Sequence, residues 1–448
     1  MNDTIFFPIG LDMLLVALVI SGCTTPAPSA GDTPTNSEMP PLMTNSEAPS
    51  STGPLALSNA PRECRKSSII GGRPSFYESV IETGTGSAHR PTGFAVGFIN
   101  DDGYRDLVTS SSATIGPGTG PTMVAVHFGQ ENGAFSEPGD AFQMGIGDDP
   151  ISVVDINGDG RHDIAARGVF CITEPSGRCG GPKLVPTGIG GGRLWGHVDD
   201  DLVPDVVTIG TTEIYAQLGP VASTTDIVEE EHDVPRRLRW NIMGDVDGDG
   251  ANDIIGLAVS PQDTDTGDWT PGSLNVFLGD NTGHFMRDRS WTVDLPDRTT
   301  HFAGGDFNCD GLLDVALAVS DPDIQQVDTT NNKVRVLLSN KHGFSDVLDI
   351  KQEAPMWLAV GDVNGDGHHD LVVENHRHSD GMQSGTATVL IGDGTGLFNE
   401  KSIDLISVHT TNSTFVAVGD LEGDGIDEIF TGERVHSNAA SIWRATQK

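Results

Sequence analysis

The sequence predicts an all-β, seven-bladed β-propeller with four strands per blade, and three observations carry that prediction. An acidic loop, with glycine in six of its copies, recurs seven times along the 448 residues. Successive copies start roughly 42 to 61 residues apart, a period of stacked or radial repeats. Short apolar runs, rich in β-branched residues and bounded by turn residues, flank the copies and read as buried strand rather than helix.

The loops are FINDDGYRD (Phe98–Asp106), DINGDGRHD (Asp155–Asp163), HVDDDLVPD (His197–Asp205), DVDGDGAND (Asp245–Asp253), DFNCDGLLD (Asp306–Asp314), DVNGDGHHD (Asp362–Asp370) and DLEGDGIDE (Asp420–Glu428). The run before most of them ends in glycine, as in FAVG before Phe98 and FVAVG before Asp420. A second strand follows, as in DIIGLAVS and DLVVEN. A third recurs as MVAVHFG, LNVFLG, VRVLLS and ATVLIG, and leads into a hairpin turn with glycine and then phenylalanine. A weaker fourth strand precedes the next unit. Four strands in a unit of about 55 residues make a propeller blade. The seventh unit holds a second strand at Glu428–Thr431 and a third at Ser441–Thr446, and then the chain stops. Phe76–Glu82, ahead of the first loop, is expected to be the missing outer strand of that last blade. Pairing the start of the propeller with its end removes two open sheet edges.

The loop chemistry points to Ca²⁺, a hard cation that takes six to eight oxygens at about 2.3–2.6 Å. Side chains at positions 1, 3 and 5 converge when glycine at position 6 allows a sharp turn, and a closing acid arrives at position 9. The opening D-x-[DN]-x-[DN]-G is shared with the EF-hand loop, whose closing Glu falls at position 12 instead. Five copies are complete. Their expected ligands are Asp155, Asn157, Asp159 and Asp163; Asp245, Asp247, Asp249 and Asp253; Asp306, Asn308, Asp310 and Asp314; Asp362, Asn364, Asp366 and Asp370; and Asp420, Glu422, Asp424 and Glu428. Without a cation such carboxylates repel one another. Mg²⁺ suits the loops less, because it prefers rigid octahedral sites that keep several waters. In the first copy Phe98 replaces the leading Asp, leaving Asn100, Asp102 and Asp106 and a weak or empty site. In the third, His197 leads and Leu202 replaces the turn glycine, so no ordered calcium is expected there despite Asp199, Asp201 and Asp205.

Taken together, these loops and strands resemble the FG-GAP/VCBS repeats of the integrin α-chain head and of many bacterial surface proteins. The resemblance covers roughly Ser75 to Lys448. It implies a propeller whose acid loops join strands one and two of each blade and hold structural calcium. It also implies that partners bind the opposite face, on the loops between strands two and three. The longest insertions expected there are Ser110–Pro121, Pro261–Pro271, Asp321–Asn332 and His376–Thr386. Trp269 is either a stacking surface for a sugar or peptide, or a ring folded over its own loop.

The formal net charge of −38, from 64 acids and 26 bases, argues against a nucleic-acid partner, whose phosphates would be repelled. Residues 1–22 read as a lipoprotein-type signal: Ile5–Ile20 is mostly apolar, and ISGC (Ile20–Cys23) resembles a lipobox ahead of a lipidated Cys23. The segment carries Asp3 and Asp12 and no Lys or Arg, whereas a signal's first region is normally basic, and Met13 is an alternative start. Residues 23–70 read as a flexible tether rich in Pro, Ser and Thr, and residues 71–448 as the propeller. The order anchor, tether, head places the protein at the outer membrane or cell surface, touching membrane only through its lipid.

Cysteines in an exported chain suit disulfides. Cys171 and Cys179 close a short loop and are the preferred pair, leaving Cys64 with Cys309, although four cysteines allow three connectivities. His368, His369, His376 and His378 are close in sequence but split between the two faces, which disfavours a transition-metal site. There is no nucleophile elbow, H-E-x-x-H, P-loop or dinucleotide fingerprint. The expectation is a non-enzymatic adhesion or recognition module with a protein or glycan partner. The alternative is a surface enzyme acting on polysaccharides.

Overall fold

The computed structural model describes residues 75–82, 89–113, 121–131, 133–136, 139, 141–146, 151–166, 168–185, 192–201, 203–210, 212–221, 227–232, 238, 240–258, 272–295, 298–320, 331–379, 382–399, 403–405, 413–433 and 439–446. The expected signal, Cys23, the tether, Cys64 and Trp269 lie outside them, as do the insertion at 261–271 and most of that at 321–332.

Among the described residues there is no α-helix, and twenty-eight strands form seven antiparallel sheets of four. Blade one runs through His89–Gly97, Asp106–Ala113, Pro121–His127 and Phe142–Ile146. Blade two has the shortest strands, Ile151–Val154, Asp163–Ala166, Val169–Cys171 and Lys183–Leu184. Blade three comprises Gly192–Gly196, Asp205–Ile209, Glu213–Gln217 and Ile227–Glu231. Blade four comprises Trp240–Gly244, Asp253–Ala258, Gly272–Gly279 and Phe285–Leu295. Thr299–Gly305, Asp314–Val319, Lys333–Asn340 and Gly343–Lys351 make blade five. Pro355–Gly361, Asp370–Ser379, Met382–Leu390 and Ile403–Leu405 make blade six. In blade seven Ser413–Gly419, Glu428–Glu433 and Ala439–Ala445 are completed by Phe76–Glu82, which pairs with the last strand from Phe76 opposite Ala445 to Glu82 opposite Ala439. The start of the ring thus closes its end, as the strand count predicts. Ser441 Oγ donates to Glu78 at 2.6 Å, and Arg444 Nη1 to Ser79 Oγ at 2.7 Å.

The core is divided among the junctions. Seven apolar clusters each straddle two adjacent blades, for example Ile255, Leu274 and Val276 of blade four with Phe302, Val315 and Leu317 of blade five. The seventh cluster joins Phe94 and Leu107 of blade one to Phe415 and Phe430 of blade seven. Middle strands therefore bury both faces, as Asp253–Ala258 does along its whole length, while the outer strand Ile227–Glu231 alternates exposed and half-buried positions. First strands line the axis. Trp240 of blade four meets Trp357 of blade six at 4.8 Å between ring centroids, and His301 of blade five stacks on Trp357 at 4.2 Å. The insertion expected at His376–Thr386 is largely a prolongation of strands two and three of blade six, in register from His376 opposite Gly385 to Ser379 opposite Met382. Cys171 and Cys179 form the expected disulfide. Cys309 is also disulfide-bonded, with its partner outside the described residues.

Candidate metal centres

Each acid loop is the turn between strands one and two of its blade, so all seven occupy one face. Their backbone demands explain the glycines. Positions 4 and 6 take positive φ, at 73° and 88° for Gly158 and Gly160 and at 78° and 87° for Gly248 and Gly250. In the fifth loop Cys309 takes position 4 at φ 62°, a conformation that favours glycine.

Position 1 folds the turn. Asp362 accepts N–H bonds from Gly365 and Asp366 on Oδ1 and from Gly367 on Oδ2, at 2.7–3.1 Å, and Asp155 repeats the pattern. Position 9 pins the blade. Asp253 is fully buried; its Oδ2 accepts from Val246 and its Oδ1 from Gly279, both at 2.8 Å. The same two bonds recur at Asp106, Asp163, Asp205, Asp314 and Asp370, each joining loop position 2 to the end of the third strand. Glu428 keeps the first, from Leu421 at 2.7 Å. Burial drives these acids toward the neutral form. It pushes Asp163 and Asp205 up to about 6, Asp106, Asp253 and Asp314 to about 7, and Glu428 to about 8, with Asp370 well above its usual range. Nearby loop carboxylates push the same way, and the backbone N–H bonds oppose it.

Position 8, to which the sequence analysis gives no role, clasps the preceding blade at position 1. His162 Nδ1 accepts from Phe98 N–H at 3.1 Å, His369 Nδ1 from Asp306 N–H at 3.0 Å and Asp427 Oδ2 from Asp362 N–H at 2.8 Å. Asn252 Nδ2 donates to the His197 carbonyl at 2.7 Å. Leu313 uses its backbone N–H on the Asp245 carbonyl, also at 2.7 Å. Arg105 closes the circle, binding the Asp420 carbonyl and its carboxylate. Pro204, at position 8 of the third loop, has no N–H to donate. The clasp also explains the glycine before the first, fifth and sixth loops. A Cβ on Gly361 would lie 2.5 Å from Asp427 Oδ2, and one on Gly97 2.4 Å from His162 Nδ1.

Two loops bring three carboxylates together, with ligand oxygens within 4.8 Å of one another: Asp245, Asp247 and Asp253, and Asp199, Asp201 and Asp205. Oxygens sharing one calcium at about 2.4 Å lie at most about 4.8 Å apart, so these donor sets fit that ion in spacing and hardness. In the third loop the acids converge although it lacks the leading Asp, and Leu202 lies outside the described residues. Where Asn occupies position 3 the amide acts as an internal donor to position 5. Asn157 Nδ2 reaches Asp159, Asn308 reaches Asp310 and Asn364 reaches Asp366, all at 2.9–3.0 Å. In the seventh loop Glu422 is held by Arg444 Nε at 2.8 Å. His368 Nδ1 stands 3.4 Å from Cys309 Sγ, and the side chains of His376 and His378 lie outside the description.

This arrangement defines a β-propeller with a ring of acidic turn sites on one face. Residues 354–390, the first three strands of blade six and its loop, match the family model of the FG-GAP repeat. Among solved structures the chain is similar to Saccharomyces cerevisiae core factor, with 12% identity and a TM-score of 0.46 over 86% of this chain and 63% of that one. It is also similar to the Photorhabdus luminescens Tc holotoxin pore, with 11% identity and a TM-score of 0.38 over 78% of this chain and 17% of that one. The chain therefore spans less than two thirds of either protein, and at these scores the propeller assignment stands on the strand order alone. No curated protein matches the chain.

Proposed function

We propose that the protein is an exported, lipid-anchored, calcium-binding β-propeller that serves adhesion or recognition rather than catalysis. The observation that carries the calcium reading is the convergence of Asp245, Asp247 and Asp253, with the position-9 acid fully buried and driven toward protonation by that burial. A divalent cation offsets that penalty by favouring the ionised carboxylates. Its role is structural: it ties strands one and two of a blade at the point where position 8 of the next blade clasps on. When calcium is bound, Asp245, Asp247, Asp249 and Asp253 would hold it in the fourth loop, and their counterparts would hold it in the other complete loops. The partner, a protein or glycan, would meet the opposite face.

Thermal unfolding of the mature protein in millimolar calcium and in chelator tests the reading. The expected midpoint is higher with calcium, by several degrees, because ions bound only to the folded state stabilise it by about 2.7 kcal/mol per site at a hundredfold excess over Kd. An unchanged midpoint removes the structural role. A glycan array and surface-binding assays on the same protein test the recognition reading. Hydrolysis of a polysaccharide would favour the enzyme alternative.

A further inference from the structure

We propose that Arg289 is a built-in counter-cation of the fourth acid loop, which competes with the divalent ion there and weakens that loop's hold on it. The inference rests on the calcium reading above and concerns how one site is regulated. At position 3 the first, second, fifth and sixth loops carry Asn, whose amide N–H donates to the position-5 carboxylate at 2.9–3.0 Å. The fourth loop carries Asp247, which has no such donor. Arg289, 42 residues away on the outer strand of the same blade, takes its place. Its Nη2 donates to Asp247 Oδ2 at 2.8 Å, and Nη1 lies 3.9 Å from Asp249 Oδ2.

Asp249 is the one complete-loop acid of this copy that stands apart from the convergent group of Asp245, Asp247 and Asp253. Its Oδ1 accepts the Ala251 N–H at 2.9 Å, and its Oδ2 lies at the edge of the guanidinium's reach. A calcium ion needs oxygens from both Asp247 and Asp249, and so must take them from the arginine. The exposures suit an exchange: the Asp247 side chain is 12% exposed and fixed in the turn, whereas that of Arg289 is 44% exposed and free to swing into solvent. Among the described residues, no Lys or Arg pairs with Asp199, Asp201 or Asp205 of the third loop, the other three-acid group. The fourth loop therefore keeps its shape without metal, at the expense of affinity for it.

Calcium titration calorimetry on the mature full chain, with Arg289→Gln, Asp247→Asn and the double variant, tests this. Arg289→Gln is expected to tighten one class of site about fivefold, ~1 kcal/mol, the upper end for an exposed ion pair. It is also expected to lower the thermal midpoint in chelator. Added to Asp247→Asn, it should change both quantities much less, since only the 3.9 Å approach to Asp249 remains. An unchanged affinity in Arg289→Gln, or an equal shift in both backgrounds, overturns the proposal, since the second result reports only general charge. If the unaltered protein binds no calcium at all, the underlying calcium reading falls and this inference falls with it.

Discussion

Replacing Asp253 by Asn should act in opposite directions with and without calcium. The carboxyl is fully buried, and its two oxygens each accept one backbone N–H. Asn keeps one acceptor and loses the other, at a cost of about 1–3 kcal/mol. Against this stands the cost of the buried charge. Burial moves the group from its ordinary 3.8 to about 7. At about 1.4 kcal/mol per pKa unit, that is roughly 4 kcal/mol of penalty at pH 8, as an upper figure. In chelator at pH 8 the larger effect is the relief of charge, so the variant should match or exceed the parent in stability. In calcium the carboxylate becomes a ligand, and losing it removes about 2–3 kcal/mol of binding stabilisation together with the hydrogen bond. Thermal unfolding in both buffers reads the difference, on the order of 1–2 °C per kcal/mol for a domain this large. Asp106→Asn is the internal comparison. Its carboxyl makes the same two bonds and is also pushed up to about 7, but Phe98 leads its loop. That variant should gain in chelator and be indifferent to calcium. Equal destabilisation of Asp253→Asn in both buffers would refute the reasoning and leave position 9 as a hydrogen-bonding pin only.

Three further outcomes are expected. The metal-free protein should lose stability as pH rises from about 4 to 8, because folded carboxyls at about 7 to 8 hold protons that unfolded ones release near 4. Their stabilisation is complete below the unfolded values and lost as pH climbs through the folded ones; calcium should flatten the slope, and a flat profile in chelator would count against these shifts. Gly361→Ala should cost about 1–3 kcal/mol, because its Cβ would lie 2.5 Å from Asp427 Oδ2 and break the clasp on Asp362 N–H; urea unfolding measures it, and a neutral result would sink the close-approach account. Deleting residues 75–82 should expose the edge of Ala439–Ala445 and shift the protein to higher oligomers by light scattering. A monomer with an unchanged midpoint would show that closure is not needed.

Much of the architecture was legible because its signals are local. A turn needing positive φ favours glycine, a strand packed on both faces favours a continuous apolar run, and a loop of acids at alternate positions recurs in recognisable form. Those signals place Phe76–Glu82 on the last blade and pair Cys171 with Cys179. The junctions between blades were not legible, because they join residues some sixty positions apart and no letter repeats. His162, Asn252, His369, Asp427 and Arg105 perform the same clasp with four different side-chain chemistries, since any group that reaches across and meets a backbone polar group suffices. The convergence of Asp199, Asp201 and Asp205 was hidden for a related reason: the missing turn glycine is a local signal, whereas the strands flanking a loop and the neighbouring blade hold its ends together. Chain-local chemistry thus writes the blade, and packing between sheets distant in sequence sets how the blades meet and which acids share a centre.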